Sequence, residues 1–169
     1  MEETFQENFH EQVLPAILQM LEDSVPRVQA HACAALTNFL EAAPKEVSSN
    51  YIEPVLPKLF QLIETSISVI KENAVTAIAS IAETSEEKFV PYFDNTLKFL
   101  FQMLNALSEP VYRQFRGQCI ECITIMAAAV GYEAFKQSAG DIIALLLSIQ
   151  NQQVAPSKDP QKTYLLSAW

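Results

Sequence analysis

The sequence of this chain repeats an amphipathic helical pattern with a period of about 42 residues, which restricts the folds open to it. Apolar residues between Arg27 and Ala43 follow helical spacing, and half of them are alanine, which predicts a helix that packs closely against its neighbours. Counting one such period and then a second along the chain gives two further copies of this stripe. The matched positions are Val28, Ala32, Ala35, Leu36 and Phe39, then Ile70, Ala74, Ala77, Ile78 and Ile81, then Tyr112, Arg116, Cys119, Ile120 and Ile123.

Each copy is preceded by another helical segment, so the repeating unit is a helical hairpin. The segment VLPAILQML at 13–21 recurs as VLPKLFQLI at 55–63. A period of about 40 to 47 residues with two helices per unit is typical of HEAT repeats. We therefore predict an all-α solenoid of about three and a half to four antiparallel hairpins, in preference to an ordinary helical bundle whose period is accidental.

The array is predicted to be a single unit that covers residues 1–169. Its approximate repeats are 5–45, 50–86, 89–131 and 132–169. The last repeat contains a polar connector, NQQVAPSKDPQ, which we expect to be mobile, and its second helix is expected to be truncated. Because end units of a solenoid usually carry a polar outer face, and neither end has one here, we expect a segment of a longer array.

The start of each second helix carries a further HEAT-like signal, an aliphatic residue that tends to be followed by a basic one. The pairs in these positions are Val28-Gln29, Ile70-Lys71 and Tyr112-Arg113. Several acidic residues close the preceding helix or turn, namely Glu22, Asp23, Glu64 and Glu109. These carboxylates would form part of a predicted ladder of charges along the stack.

The charge balance excludes several classes of function. With 11 basic and 20 acidic residues the formal charge is −9, so the chain lacks the basic footprint that direct nucleic-acid binding or an anionic membrane surface requires. A basic partner is its natural complement. The longest apolar run, 142–147, is far shorter than the roughly 20 residues that cross a bilayer, so we expect no membrane insertion. The acidic N-terminal segment does not resemble a signal peptide, which favours the cytosol or nucleus.

The sequence gives little support for enzyme activity. Cys119 and Cys122 form a C-x-x-C pattern, but they lie within a helical pattern with no strand nearby, and a zinc site would need two more ligands. His10 and His31 stand in no recognisable catalytic motif, and no phosphate loop or dinucleotide fingerprint occurs. We therefore predict no catalytic residue, no cofactor and no metal site, and a protein that works by binding.

The second helices of stacked hairpins line the concave side of the array, where their exposed residues form an extended groove. The polar residues available there are Asn38, Glu41, Asn73, Thr76, Ser80, Glu83, Gln114, Gln118, Glu121 and Thr124. Glu41 and Glu83 are one period apart, as are Asn38 and Ser80, so each pair is predicted to stack in a column. Carboxylates beside amides and hydroxyls can bind Lys or Arg side chains of an extended peptide. A solvated face whose charge only aids solubility is equally compatible with the pattern.

Several blocks of the sequence resemble the importin-β, or karyopherin-β, nuclear transport receptors. These blocks are RVQAHACAALTNFLE, EEKFVPYFD, RGQCIECITIMAAAVGYEAF and YLLSAW, and the resemblance covers nearly the whole chain. It implies part of a HEAT superhelix that binds nuclear localisation signals rich in Lys and Arg, from cargoes such as ribosomal proteins or histones. It also implies cargo release by Ran in its GTP form, contacts with phenylalanine-glycine nucleoporins and shuttling between cytoplasm and nucleus.

The same resemblance implies a set of cargo-binding residues on the inner helices. These residues are Asn38, Glu41, Ser80, Glu83 and Glu121. The third repeat is expected to interrupt the columns, because Cys122 and Ile125 stand where the polar residues would recur. Two other classes of function stay open: a HEAT scaffold such as a phosphatase regulatory subunit, which would bind a folded enzyme through inter-repeat loops, and a thiol oxidoreductase.

Overall fold

The chain folds into a succession of α-helices. The computed structural model describes the backbone of residues 2–151 and 160–169 and the side chains of 5–150 and 161–169. The helices are α1 (Glu2–Met20), α2 (Pro26–Glu41), α3 (Lys45–Asn50), α4 (Ile52–Thr65), α5 (Ser68–Ser85), α6 (Val90–Ala106), α7 (Arg113–Val130), α8 (Tyr132–Asn151) and α9 (Pro160–Ala168). Short 3-10 segments, Glu86–Phe89 and Pro110–Tyr112, precede α6 and α7. The described residues contain no strand, so the all-α prediction is confirmed. Most of the connector predicted to be mobile lies outside the described residues.

The second helices of successive hairpins stack on one another. Within hairpins α1 packs on α2, α4 on α5 and α6 on α7, and between hairpins α2 packs on α5, α5 on α7 and α7 on α9. Two hydrogen bonds show that α2 and α5 are parallel. Asn73 Nδ2 donates to the carbonyl of Ala30 at 3.4 Å, and Ser80 Oγ donates to that of Thr37 at 3.5 Å. Both pairs are 43 residues apart, as parallel helices in consecutive units of a solenoid require.

Helix α5 is buried on opposite sides because it lies between α2 and α7. Its buried alanines are Ala74, Ala77, Ala79 and Ala82. Small side chains let three helix axes lie close together, which is what the alanine content of the repeat predicts. Larger residues such as Leu36, Leu59 and Phe93 fill the space in the rest of the core, where truncation to alanine costs about 2–5 kcal/mol.

A short helix that the sequence pattern does not predict, α3, connects the first two hairpins. It packs on α5 and α1, and its Val47 and Ser48 are buried. Six residues are too few to show a helical period, so the pattern gives no signal for it. Helix α3 occupies the gap that the prediction leaves between repeats 5–45 and 50–86.

The third hairpin departs from the uniform period. The second helices begin at Pro26, Ser68 and Arg113, so the third begins 45 residues after the second. The connectors explain the difference, because residues 107–112 join α6 to α7 whereas only two residues join α4 to α5. The predicted third stripe is therefore wrong in register by three residues.

Burial identifies the corrected alignment. Phe115 is the fully buried counterpart of Ile70, while the predicted Tyr112 is half-buried in a 3-10 segment. The prediction from a uniform period still identified core residues such as Cys119 and Ile120, because an error of three residues is close to one helical turn of about 3.6. A shift of nearly one turn leaves much of the same face buried.

Basic side chains near the start of the second helices bind the end of the preceding first helix. Lys71 Nζ donates to the carbonyl of Ile63 and, at 3.1 Å, to that of Glu64. Arg116 Nη1 donates in the same way to the carbonyl of Leu104. The last carbonyls of a helix lack an intrahelical donor, so these bonds satisfy groups that would otherwise be buried without a partner. Burial lowers the pKa of both Lys71 and Arg116.

The acidic residues of the predicted ladder of charges differ in their contacts. Gln29 Nε2 donates to the backbone carbonyl of Asp23 at 2.9 Å, not to a carboxylate. The Glu22 carboxylate instead pairs with Lys58 of the second hairpin at 2.5 Å. Arg113, the basic residue of the predicted pair Tyr112-Arg113 in the third hairpin, lies about one turn before Arg116.

Candidate functional site

Four of the five predicted inner residues are exposed on second helices. Asn38 and Glu41 lie on α2, Glu83 on α5 and Glu121 on α7. Ser80 is only 5% exposed, and its Oγ donates to a backbone carbonyl of α2 at 3.5 Å. The two parallel helices approach closely enough to enclose this small side chain. Ser80 therefore belongs to the α2–α5 interface, and the exposed surface is formed by the other four residues.

A shallow groove of about 140 Å³ lies between α2 and α5. Its lining consists of Ala34, Thr37, Asn38, Asn73 and Thr76. The hydroxyls of Thr37 and Thr76 donate to carbonyls of their own helices, which leaves their oxygens able to accept hydrogen bonds. Asn73 and Thr76 are not among the five residues that the resemblance implies, although their helical spacing from Ser80 places them on the same face of α5.

Glu41 and Glu83 are placed unfavourably with respect to the dipoles of their helices. Glu41 is the last residue of α2 and Glu83 lies in the last turn of α5, and neither helix has a basic residue in that turn. The C-terminus of a helix carries roughly half a negative charge, so a carboxylate there destabilises the fold by about 0.3–1 kcal/mol. Because α2 and α5 are parallel, both carboxylates and both dipoles contribute to the negative potential at one edge of the stack.

Neither carboxylate is neutralised by a neighbour. Within residues 5–150 and 161–169, Glu41 and Glu83 form no ion pair and no side-chain hydrogen bond. Two carboxylates close to them in sequence are paired, since Glu86 and Glu87 share Lys45 at 2.7 and 2.5 Å. The edge formed by Glu41 and Glu83 is therefore available to a cation from outside the chain.

Glu121 does not extend this acidic pair. The second helix of the third hairpin is offset from α5 by 45 residues. Glu121 of α7 therefore corresponds to Thr76 of α5, and Glu83 of α5 corresponds to Ala128 of α7. The acidic column therefore ends at α5. An interruption in the third repeat is thus present, and Cys122, which stands where a polar residue would recur, is buried.

The three cysteines are buried thiols. Burial raises the pKa of Cys33 to about 12 and also raises the pKa values of Cys119 and Cys122. Reactive cysteines have lowered pKa values in partly exposed, electropositive surroundings, so these shifts oppose redox chemistry at the C-x-x-C pattern. In the part of the chain that the structure describes, no three His, Cys, Asp or Glu side chains group closely enough to hold a metal ion. No helix in that part is long and apolar enough to cross a membrane.

Several known proteins are similar to this chain in sequence and in fold. Residues 1–155 match, and belong to, the repeat family described as dynein axonemal assembly factor 5-like, TPR repeats. Importin subunit beta-3 of Saccharomyces cerevisiae is 33% identical over 165 residues, which is 97% of this chain. The crystal structure of Kap121p bound to Pho4p matches 98% of the chain at 33% identity, with a TM-score of 0.85. The chain belongs to the karyopherin-β family.

This karyopherin-β chain spans 15% of the length of importin subunit beta-3 and 15% of the Kap121p chain. Its second helices recur after about 42 to 45 residues, which is the spacing of HEAT units and longer than the roughly 34 residues of a TPR unit. The family resemblance of the sequence blocks is confirmed, and with it the interpretation of the repeat as a HEAT-type hairpin.

A further Kap121p structure is informative about acidic residues. It is a variant in which two aspartates and one glutamate are replaced by lysine, and it matches 98% of this karyopherin-β chain and 15% of its own, at 33% identity and a TM-score of 0.85. Each replaced position follows the one before it by about 42 residues, the length of one HEAT unit. Glu41 and Glu83 have the same one-repeat spacing.

Proposed function

We propose that this chain is part of a nuclear import receptor and that the surface of α2 and α5 binds basic cargo signals. The observation that carries the proposal is the pair of unpaired carboxylates, Glu41 and Glu83, at the C-terminal ends of parallel helices. Each carboxylate adds to the negative end of its helix dipole, and an external cation is attracted by both charges. Two such carboxylates at one edge favour the binding of a cationic ligand.

The named relatives support a role in cargo binding. Kap121p has been crystallised with Pho4p, and its lysine variant replaces acidic residues spaced one repeat apart. In this chain Glu41 and Glu83 would accept charge-assisted hydrogen bonds from successive Lys or Arg side chains. Asn38, Asn73 and Thr76, which line the groove, would bind the backbone of the same extended peptide.

The remaining features of an import receptor belong to the same proposal for the full-length protein. They comprise release of cargo by Ran in its GTP form, contacts with phenylalanine-glycine nucleoporins, shuttling between cytoplasm and nucleus, and function by binding and not catalysis. A groove that continues through further repeats would multiply weak contacts along one cargo chain. Two repeats alone are therefore expected to bind a basic peptide weakly. Glu121, which stands outside the acidic column, would contact a different part of the cargo.

A second candidate function, a scaffold for a folded partner, rests on a different surface. Val25, Ile67 and Val111 stand at the turns of three successive hairpins and are 50%, 61% and 67% exposed. A scaffold that docks a folded enzyme through its turns would use these apolar side chains. The two candidates thus place the partner on different edges of the stack.

An NMR titration of the isotopically labelled chain with a lysine-rich import-signal peptide separates these candidates. Cargo binding predicts saturable shifts of amide resonances around Asn38, Glu41 and Glu83, with the turns unchanged. A titration that shifts only the turns around Val25 and Ile67, or that shifts nothing at millimolar peptide, would contradict cargo binding by this surface. An acidic peptide of equal length serves as the matched control.

A further inference from the structure

The connection between α5 and α6 passes through a strained residue. Glu86 has φ 48° and ψ −127°. Among the non-glycine residues that the structure describes, it alone has a positive φ. A side chain with a β-carbon rarely adopts this conformation, which is favourable only for glycine, and such strain persists where surrounding contacts impose it. Glu86 also begins the 3-10 segment that leads into α6.

Buried residues fix the chain on each side of Glu86. Ser85 before it and Phe89 after it are both fully buried. The backbone angles of Glu86 therefore set the direction in which α6 leaves α5. The packing here is imperfect, since the hydroxyls of Ser85 and of Ser48 on α3 are buried without a hydrogen-bond partner among the described residues. Buried hydroxyls without partners raise the free energy of this arrangement relative to competing ones.

One side chain joins this strained connection to another hairpin. Lys45, the first residue of α3, donates to Glu86 Oε2 at 2.7 Å and to Glu87 Oε2 at 2.5 Å. Helix α3 follows the first hairpin, whereas Glu86 and Glu87 lie between the second and the third. The lysine thus links two successive connectors on one edge of the stack.

We infer that Lys45, Glu86 and Glu87 form a latch that holds the strained connection and fixes the angle between the second and third hairpins. Release of the latch lets Glu86 relax to an allowed conformation and lets α6 and α7 tilt relative to α5. The latch acts on the curvature of the array, whereas Glu41 and Glu83 are proposed to bind cargo. Because the pairing is exposed, added salt weakens it.

Hydrogen exchange of the amides in residues 86–92, followed by mass spectrometry, tests the latch. Lys45→Met is expected to speed exchange in this segment at least about twofold, in line with the loss of an exposed ion pair. Lys98→Met removes an exposed lysine of α6 that lies outside the latch and is the matched control. Salt of about 1 M is expected to reproduce the effect in the unchanged chain.

Glycine at position 86 distinguishes a latch from a merely stabilising ion pair. Glycine adopts the conformation of Glu86 without strain. The amides of the double variant Lys45→Met, Glu86→Gly are therefore expected to exchange as slowly as those of the unchanged chain, at a rate that does not depend on salt. Equal exchange rates in Lys45→Met and the unchanged chain would overturn the inference. Exchange in the double variant as fast as in Lys45→Met would overturn it as well. Circular dichroism confirms that each variant is folded before exchange is measured.

Discussion

Glu41 and Glu83 lie one repeat apart, in the last turns of two parallel helices, and neither has an ion-pair partner within the described residues. This relationship sets folding and binding in opposition. Each carboxylate adds to the negative end of a helix dipole and so weakens the fold, and the same sum of charges attracts a cationic side chain. The proposed function therefore makes a prediction about stability as well as one about affinity.

Neutralising these carboxylates should stabilise the chain. We expect Glu41→Gln and Glu83→Gln each to raise the free energy of unfolding by about 0.3–1 kcal/mol, because the repulsion between carboxylate and dipole is removed. Urea denaturation at low salt measures the change. Glu7→Gln in the N-terminal half of α1 is the control and is expected to give no gain. A loss of stability in both variants would show that the carboxylates make favourable contacts that the structure lacks.

Helix α9 depends on a close approach between Gly117 and Tyr164. A β-carbon at position 117 would overlap with Tyr164 Cδ2, and Gln114 Nε2 donates to the Tyr164 hydroxyl at 3.1 Å. Gly117→Ala is therefore expected to destabilise the chain by about 1–3 kcal/mol and to loosen α9. Gly140→Ala, where a β-carbon meets nothing within 4 Å in α8, should instead stabilise it by about 0.5–1 kcal/mol. Thermal unfolding of both variants compares them directly, and equal effects would contradict the close contact.

Arg116 is expected to be a structural residue despite its charge. Arg116→Met removes the bond to the carbonyl of Leu104 and leaves that carbonyl buried without a partner, which should lower the free energy of unfolding by about 1–3 kcal/mol. The exposed Lys98 on α6 supplies the control Lys98→Met, for which we expect a change of less than about 0.5 kcal/mol. Urea denaturation of the two variants decides whether the donor is Arg116. An unchanged stability of Arg116→Met would contradict a structural role for Arg116.

Cys33 should make stability depend on pH in the alkaline range. Burial raises its pKa from 9.0 in the unfolded chain to about 12 in the folded one. The unfolded thiol therefore loses its proton first, so the stability that Cys33 contributes is fully present below pH 9 and decreases as the pH rises toward 12. Urea denaturation between about pH 8 and 10 should show a steeper decline in the unchanged chain than in Cys33→Ala. Parallel declines in the two chains would contradict a buried neutral thiol.

The repeat made the fold predictable, because burial between neighbours imposes the same helical stripe on each unit. The second stripe was right in register, as the buried Ala74 and Ile78 show. The third stripe was out of register by three residues, because the length of a connector does not alter the spacing of apolar residues within the helices that it joins. The pattern could therefore find buried Cys119 in α7 while placing the basic residue of the HEAT-like pair at Arg113, three residues before the buried Arg116.

The candidate site was predictable only in part, for a similar reason. Periodicity places Ser80 and Glu83 on one helix face, but it does not show how closely the neighbouring helix covers that face. Ser80 is short and lies against α2, whereas Glu83 near the end of α5 reaches solvent. The latch formed by Lys45 and Glu86 depends on a six-residue helix and a positive φ, and neither has a periodic signal.

Calorimetric titration of the chain with a lysine-rich import-signal peptide, at low and physiological salt, measures whether Glu41 and Glu83 bind basic cargo signals. We expect saturable binding that weakens with salt, and a dissociation constant raised about tenfold or more by Glu41→Lys and Glu83→Lys together. Glu7→Lys makes the same change of charge away from this surface and should leave the affinity nearly unchanged. Binding of equal strength in the double variant and the unchanged chain, or binding that does not depend on salt, would contradict cargo recognition by these carboxylates.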